Sequence, residues 1–161
     1  MAGDELRKAL ECIGSNLESI QTGLRDFAGK IPDPNTKELN RSLALMIDGV
    51  RNKLNRAIDA MKVTDDSTLG RIDNHVDDSH FLGFCRAFGK STSNKYPRDA
   101  KIDIVIWGKW KDKIELWLES VETLLDEWSE VAEGSALQGL LKILSKAVTA
   151  LGKAISATKD S

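Results

Sequence analysis

The residues GFCRAFGKS at 83–91 end in Gly-Lys-Ser, the combination with which a phosphate loop holds a nucleotide. In such a loop, backbone amides and the lysine contact the phosphates while the hydroxyl contacts a metal ion. Here five residues separate Gly83 from Gly89, one more than the motif allows. Phe84 and Phe88 are too bulky for a backbone that must approach a phosphate closely, and turn-forming residues follow where the motif requires a helix. We therefore predict no nucleotide site.

The two histidines of the chain, His75 and His80, lie near Asp77 and Asp78 and are candidate metal ligands. On a helix the two imidazoles would diverge by about 140°, because each residue turns the chain by about 100°. No cysteine pair supports them, and the aspartates lack the central glycine and terminal glutamate of a calcium loop. We interpret them as a solvated acidic turn that caps the next helix, and predict no metal site.

Cys85 is a candidate nucleophile, with His80 nearby in sequence as a potential base. Neither residue sits in a recognisable activating context. Cys85 continues a helical apolar stripe with Phe81 and Phe88, which favours a buried, unreactive thiol. The other cysteine, Cys12, is far away in sequence, so we expect two reduced thiols in a cytosol-like compartment, with a single bridge as the alternative. The sequence thus predicts no catalytic, metal or cofactor-binding residues.

Length and composition fit one domain, 1–161. A chain of 161 residues, 41% of them hydrophobic, buries roughly two-thirds of its unfolded surface. A formal net charge of −2 argues against a surface built throughout for nucleic acid. No apolar run approaches the ~20 residues of a membrane span, and the N-terminus lacks the apolar stretch of a secretory signal. These features predict a cytoplasmic protein whose contact with a membrane would be peripheral.

Two heptad patterns open the chain. Large apolar residues at alternating spacings of four and three predict a helix over about 4–28. The IPDP sequence at 31–34 stops it, because each proline lacks an amide hydrogen and restrains the residue before it. Asn35 and Glu38 fit a capping box for a second helix over about 36–62, and the short connection predicts an antiparallel hairpin. The seam residues of the first helix are Leu6, Leu10, Ile13, Leu17, Ile20, Leu24 and Phe27.

Residues 64–101 predict an irregular connection, because both ends are rich in turn and breaker residues. Within it, Leu69, Ile72 and Val76 suggest about two turns of helix, and the aromatic residues that follow suggest a short helix over about 79–89. Aromatic side chains give a short element a large area to bury. We expect a brace or lid that packs across the bundle.

The strongest pattern covers about 103–133, where apolar residues again alternate at three and four and predict a long helix. Its start, KIDIVIW at 101–107, alternates like a strand, so the first few residues are candidates for extended chain. A break at Gly134 and Ser135 predicts a last helix over about 136–157. The seam of the long helix, which we favour as core, contains Trp107, Trp110, Ile114, Trp117, Val121, Leu124, Trp128 and Val131.

Charge is segregated between these last two helices. Residues 115–133 carry seven acidic residues and no basic ones, whereas residues 136–159 carry four lysines and no acidic ones. Acidic residues near the C-terminal end of a helix oppose its macrodipole, at about 0.3–1 kcal/mol for each terminal charge. We expect antiparallel packing that places the lysines of the last helix near the glutamates of the preceding one.

The last helix has one apolar half and an opposite wedge of lysines, the pattern of helices that lie at a membrane interface. The start of the preceding helix mixes tryptophan with lysine, which suits a membrane interface or stacking on single-stranded bases. The candidate membrane- or partner-binding residues are Leu141, Lys142, Leu144, Lys146, Val148, Leu151, Lys153, Ile155, Trp107, Lys109, Trp110 and Lys111.

Together these patterns predict an all-α fold, a mostly antiparallel bundle of four main helices plus a short helical brace. The predicted function is non-enzymatic: association with an anionic membrane surface through the cationic last helix, which packs in the bundle at rest. The alternative is a self-associating structural or adaptor protein whose seams bind partner helices or a second copy without lipid. Nucleic-acid binding by the local basic and aromatic patch is a further, disfavoured alternative.

Overall fold

The computed structural model describes residues 1–93, 96–97 and 104–158. Over these residues the chain forms helices and connecting turns and no strand, which confirms the predicted all-α class. The α-helices are α1 Asp4–Lys30, α2 Pro34–Ala60, α3 Asp66–Ser79, α4 Phe81–Phe88, α5 Ile104–Val131 and α6 Ala136–Thr158. A 3₁₀ turn, Met61–Val63, follows α2, and a π-helical turn, Gly89–Ser93, follows α4.

The four long helices contact one another in the order α1, α2, α6, α5, and the pair α3–α4 fills the remaining side between α1 and α5. The α1–α2 hairpin is antiparallel, because the Gln21 side chain of α1 reaches the Ala44 carbonyl of α2 at 2.7 Å. The start of α5 meets the end of α6, where Lys111 contacts Thr158. Because α3 and α4 pack between α1 and α5, these two short helices form the predicted brace.

The boundary between α1 and α2 differs from the prediction. Asp33, and not Asn35, caps α2: its carboxylate accepts hydrogen bonds from the Thr36 amide at 2.9 Å and the Thr36 hydroxyl at 2.7 Å. Pro34 occupies the first helical position, where its missing amide hydrogen costs nothing. The predicted capping box is wrong because a proline that stops one helix also starts the next.

Residues 64–101 contain more helix than predicted. Asp65 caps α3 by accepting from the Thr68 amide at 3.0 Å, so a segment that looked like a turn is a helix start. His80 alone joins α3 to α4, in a left-handed conformation with φ 57°. The candidate extended residues at the start of KIDIVIW, 101–103, lie outside the described part of the chain.

Burial follows the predicted seams closely in α1 and less closely elsewhere. All seven predicted seam residues of α1 are fully buried. In α2, Leu45 is 66% exposed, because it lies away from α1 and α6, the two long helices that α2 contacts most. In α5 most of the predicted seam is buried, but Leu124 and Val131 are only partly buried, and the adjacent Leu125 and Ala132 are fully buried.

Each tryptophan of α5 meets an aromatic ring from another part of the fold. Trp107 stacks on Phe27 of α1 with ring centroids 4.3 Å apart, and Trp117 stacks on Phe88 of α4 at 4.6 Å. The two remaining contacts are edge-on, between Trp128 and Phe81 at 5.5 Å and between Trp110 and Tyr96 at 6.3 Å. This series of ring contacts, here called the tryptophan column, joins α5 to α1 and to the brace.

Replacing one ring of the tryptophan column tests its contribution. We expect Trp117→Ala to lower the free energy of unfolding by about 3–5 kcal/mol, because a buried, stacked ring is replaced by a cavity. The neighbouring Leu116 is 65% exposed, so Leu116→Ala should cost less than about 0.5 kcal/mol. Urea unfolding followed by circular dichroism measures both free energies. Equal losses in the two variants would contradict a stabilising role for the tryptophan column.

Candidate functional site

The apolar half of α6 is enclosed by the bundle. Six of its large residues have no exposed surface, and the two helices that contact α6 most are α5 and α2. The buried set contains Leu137, Leu141, Leu144, Val148, Leu151 and Ile155. In this conformation the apolar part of the candidate membrane face is therefore core.

The cationic wedge of α6 is exposed. Lys142, Lys146 and Lys153 point outward, and among the described residues none of them forms an ion pair with a carboxylate. The expected proximity to α5 holds for Lys153, which lines a groove of about 450 Å³ with glutamates of α5, but the contact stops short of a direct ion pair. The lysines of α6 are thus held in place by their helix and not by partners.

The acidic residues of α5 lie beside these lysines. Glu119, Asp126 and Glu130 are exposed, and Glu115, Glu119 and Glu122 form one wall of the groove that Lys153 shares. Charges separated by less than a Debye length act together on an approaching surface. The carboxylates of α5 therefore lower the positive potential around Lys153.

The start of α5 exposes less aromatic surface than the sequence predicts. Trp107 and Trp110 are buried, and the indole nitrogen of Trp110 donates a hydrogen bond to the Thr92 carbonyl at 3.1 Å. Lys109 is exposed. Neither indole ring presents a face for stacking on a base or for insertion among lipid headgroups in this conformation.

Lys111 departs furthest from the sequence interpretation, because its side chain has no exposed surface. Its ammonium donates a hydrogen bond to the Thr158 carbonyl, 3.3 Å away at the end of α6, and lies 5.2 Å from the centre of the Phe27 ring. The carbonyls that end a helix carry partial negative charge, and an aromatic face attracts a cation. Burial nevertheless lowers the pKa of Lys111 to about 8.

The burial of Lys111 has a signal in the sequence. It follows Trp107 by four residues and precedes Ile114 by three, which places it on the apolar face of α5. Its neighbours at two residues on either side, Lys109 and Lys113, are both exposed. Lys111 is thus close to Lys109 and Lys113 in sequence but lies on a different face of the helix.

The fold does not bring the candidate metal-binding and phosphate-binding residues together into a site. His75 faces Glu127 of α5 at 3.7 Å, whereas His80 occupies the α3–α4 junction. In the described part of the chain, no group of three or more histidine, cysteine or acidic side chains is placed to hold a metal ion. The segment 83–91 runs through α4 into the π-helical turn and forms no loop before a helix.

None of the described helices combines the length and apolarity needed to cross a bilayer. No protein-family model, curated protein or solved structure matches this chain. Two features of the described fold bear on function: the divided surface of α6 and the buried amine of Lys111 beneath the end of that helix.

Replacing Lys111 tests the cost of its burial. The lowered pKa, from about 10.5 to about 8, corresponds to roughly 3 kcal/mol against the folded state, offset by ~1 kcal/mol from the hydrogen bond to Thr158. We expect Lys111→Met to raise the free energy of unfolding at pH 7 by about 2 kcal/mol. Lys113→Met, which removes an exposed amine, should change it by less than about 0.5 kcal/mol.

The titration of Lys111 makes the free energy of unfolding depend on pH in a known direction. Because the folded-state pKa of Lys111 lies below its unfolded-state pKa, the unfolded chain binds more protons between about pH 8 and pH 10.5. Lys111 therefore makes wild-type stability rise across that window, with its full cost present below pH 8. Urea unfolding at pH 7 and pH 10 should show a smaller rise in Lys111→Met. An equal rise in both proteins would contradict the assignment.

Proposed function

We propose that this protein is a non-enzymatic helical bundle that associates with anionic membrane surfaces through α6. In the membrane-bound state, α6 exchanges its contacts with α5 and α2 for contacts with lipid. The observation that carries the proposal is the division of α6 into an apolar half with six fully buried large side chains and an exposed wedge of lysines, with no acidic residue between 136 and 158. Helices of this kind lie in the plane of a membrane interface.

Release of α6 has a large cost and two compensations. Uncovering its six large apolar side chains forfeits roughly 1.5–3 kcal/mol each, together with the matching surface of α5 and α2. Lipid reburies apolar surface, and each lysine near an anionic surface adds about 1 kcal/mol. Exchange therefore requires lipid to cover nearly all of the uncovered apolar area, and it does not occur in water alone.

Two features of the docked state favour the exchange. Lys111 is buried against the end of α6, and at neutral pH, below its pKa of about 8, its cost to the docked state is present in full. The carboxylates of α5 repel the anionic surface that attracts the lysines of α6. Movement of α6 away from α5 relieves both effects at once.

The alternative functions have less support. Self-association needs an extended exposed apolar face, but among the described helical residues the exposed large apolar side chains are divided among α2, α4, α5, α6 and the 3₁₀ turn, with at most three on one helix, Val105, Ile106 and Leu116 of α5. Nucleic-acid binding through the start of α5 needs exposed rings, and Trp107 and Trp110 are in the core. Light scattering at rising protein concentration tests self-association. A protein that stays monomeric and still binds membranes would exclude self-association as the main function.

Charge reversal on α6 tests the proposal in co-sedimentation with vesicles. The full-length protein should pellet with anionic and not with neutral vesicles, and less so as salt is raised. Lys142→Glu, Lys146→Glu and Lys153→Glu together should lower the fraction bound at least tenfold, because about 1 kcal/mol of attraction is lost for each lysine and repulsion is added.

The matched control reverses three exposed basic residues of α2 and the turn after it. Arg41→Glu, Arg56→Glu and Lys62→Glu give the same net charge on a different surface. This variant should keep most of the vesicle binding. Equal loss in the two triple variants would mean that net charge, and not α6, governs binding; full binding by the α6 variant would overturn the proposal.

A further inference from the structure

Cys12 of α1 and Cys85 of α4 are distant in sequence but adjacent in the fold. Both are free thiols, and one side chain, that of Asn16, contacts both sulfur atoms. The side-chain nitrogen of Asn16 lies 3.3 Å from the Cys85 sulfur and 4.0 Å from the Cys12 sulfur, and it also donates to the Cys85 carbonyl at 3.0 Å. One buried amide therefore positions two thiols that belong to different helices.

The two thiols differ in access. Cys12 is half-buried and lines an open cleft of about 490 Å³, whose wall includes the basic side chains of Lys8, Arg86 and Lys90 and the acidic Glu11. Cys85 has no exposed surface and lies behind Cys12, away from the cleft. A small molecule that enters the cleft therefore meets Cys12 first.

The thiols also differ in acidity. The hydrogen bond from Cys85, followed by the positive charge of Arg86, lowers the pKa of Cys12 against the opposing effect of its burial. The same hydrogen bond, together with burial, raises the pKa of Cys85. Cys12 is thus the accessible and more acidic thiol, and Cys85 is the buried and less acidic one, which is the arrangement of an attacking and a resolving cysteine.

Gly89 indicates that this arrangement depends on close packing. A Cβ atom added at Gly89 would lie 2.6 Å from the side-chain oxygen of Asn16, closer than such atoms approach in proteins. A larger residue at this position would have to displace the buried Asn16 amide, so glycine lets the turn after α4 pack directly against it. Asn16 is consequently fixed between α1 and α4, with its nitrogen directed at the thiols.

We propose that Cys12 and Cys85 form a redox-active pair that a small hydroperoxide oxidises to an intramolecular disulfide. This inference is independent of the proposed membrane association. Such a bond would link α1 covalently to the brace helix α4. It would lie on the side of the bundle opposite the contact between α2 and α6.

The reaction balances in two steps. The Cys12 thiolate attacks one oxygen of the peroxide; the O–O bond breaks, and the second oxygen leaves with a proton as an alcohol or water, so that Cys12 becomes a sulfenic acid. The Cys85 sulfur then attacks the Cys12 sulfur, the S–O bond breaks, and the departing hydroxide takes the Cys85 proton to form water. Two thiols supply the two electrons that reduce one peroxide.

Peroxide oxidation of the reduced full-length protein at pH 7, stopped with N-ethylmaleimide and followed by intact mass, tests this inference. We expect both alkylation sites to disappear together in a monomer that contains a Cys12–Cys85 disulfide, reversibly with dithiothreitol. The rate should exceed that of free cysteine at least about tenfold, since Cys12 has a larger thiolate fraction. Oxidation no faster than free cysteine, or disulfides only between chains, would overturn the proposal.

Two variants separate the roles of the thiols. Cys85→Ala should leave a sulfenic acid on Cys12 that dimedone traps, because the resolving thiol is gone. Cys12→Ala should remove the fast reaction, because the remaining thiol is buried and has a raised pKa. Circular dichroism confirms that each variant is folded. A fast reaction that persists in folded Cys12→Ala would also contradict the assignment of Cys12.

Discussion

The rest of the structure depends on how α5 spans the gap to α1 and the brace. Its backbone packs closely on α6, but on the other side large rings make the contact, from Trp107 on Phe27 to Trp128 on Phe81. Aromatic rings bury much area for each residue and tolerate few alternative arrangements. The tryptophan column therefore sets the position of α5, and α5 in turn presents to α6 the surface on which that helix docks.

The distribution of charge follows from this arrangement. Because the apolar sides of α5 and α6 meet, glutamates of α5 and Lys153 of α6 lie beside one another at the surface. Lys111 breaks the pattern, since it satisfies the end of α6 from inside the core. The docked helix is thus held mainly by apolar packing, a force that lipid can replace, while its charges favour another environment.

The sequence predicted those parts of the fold that depend on local periodicity. The seam of α1 and the two faces of α6 follow directly from residue spacing, because burial on a helix repeats with its turn. The caps at Asp33 and Asp65 were missed, since the same residues that favour turns also begin helices. The meeting of Cys12, Cys85 and Asn16 has no local signal, because it arises only when α4 packs on α1.

Hydrogen–deuterium exchange of the full-length protein at pH 7, with and without anionic vesicles, tests most directly whether α6 leaves the bundle. The account predicts faster exchange in the parts of α5 and α2 that α6 covers, with protection retained in α6 and little change at the α1–α4 contact. Bound protein with unchanged exchange throughout α2, α5 and α6 would show that the docked surface binds lipid, and it would contradict the exchange of α6 between the bundle and the membrane.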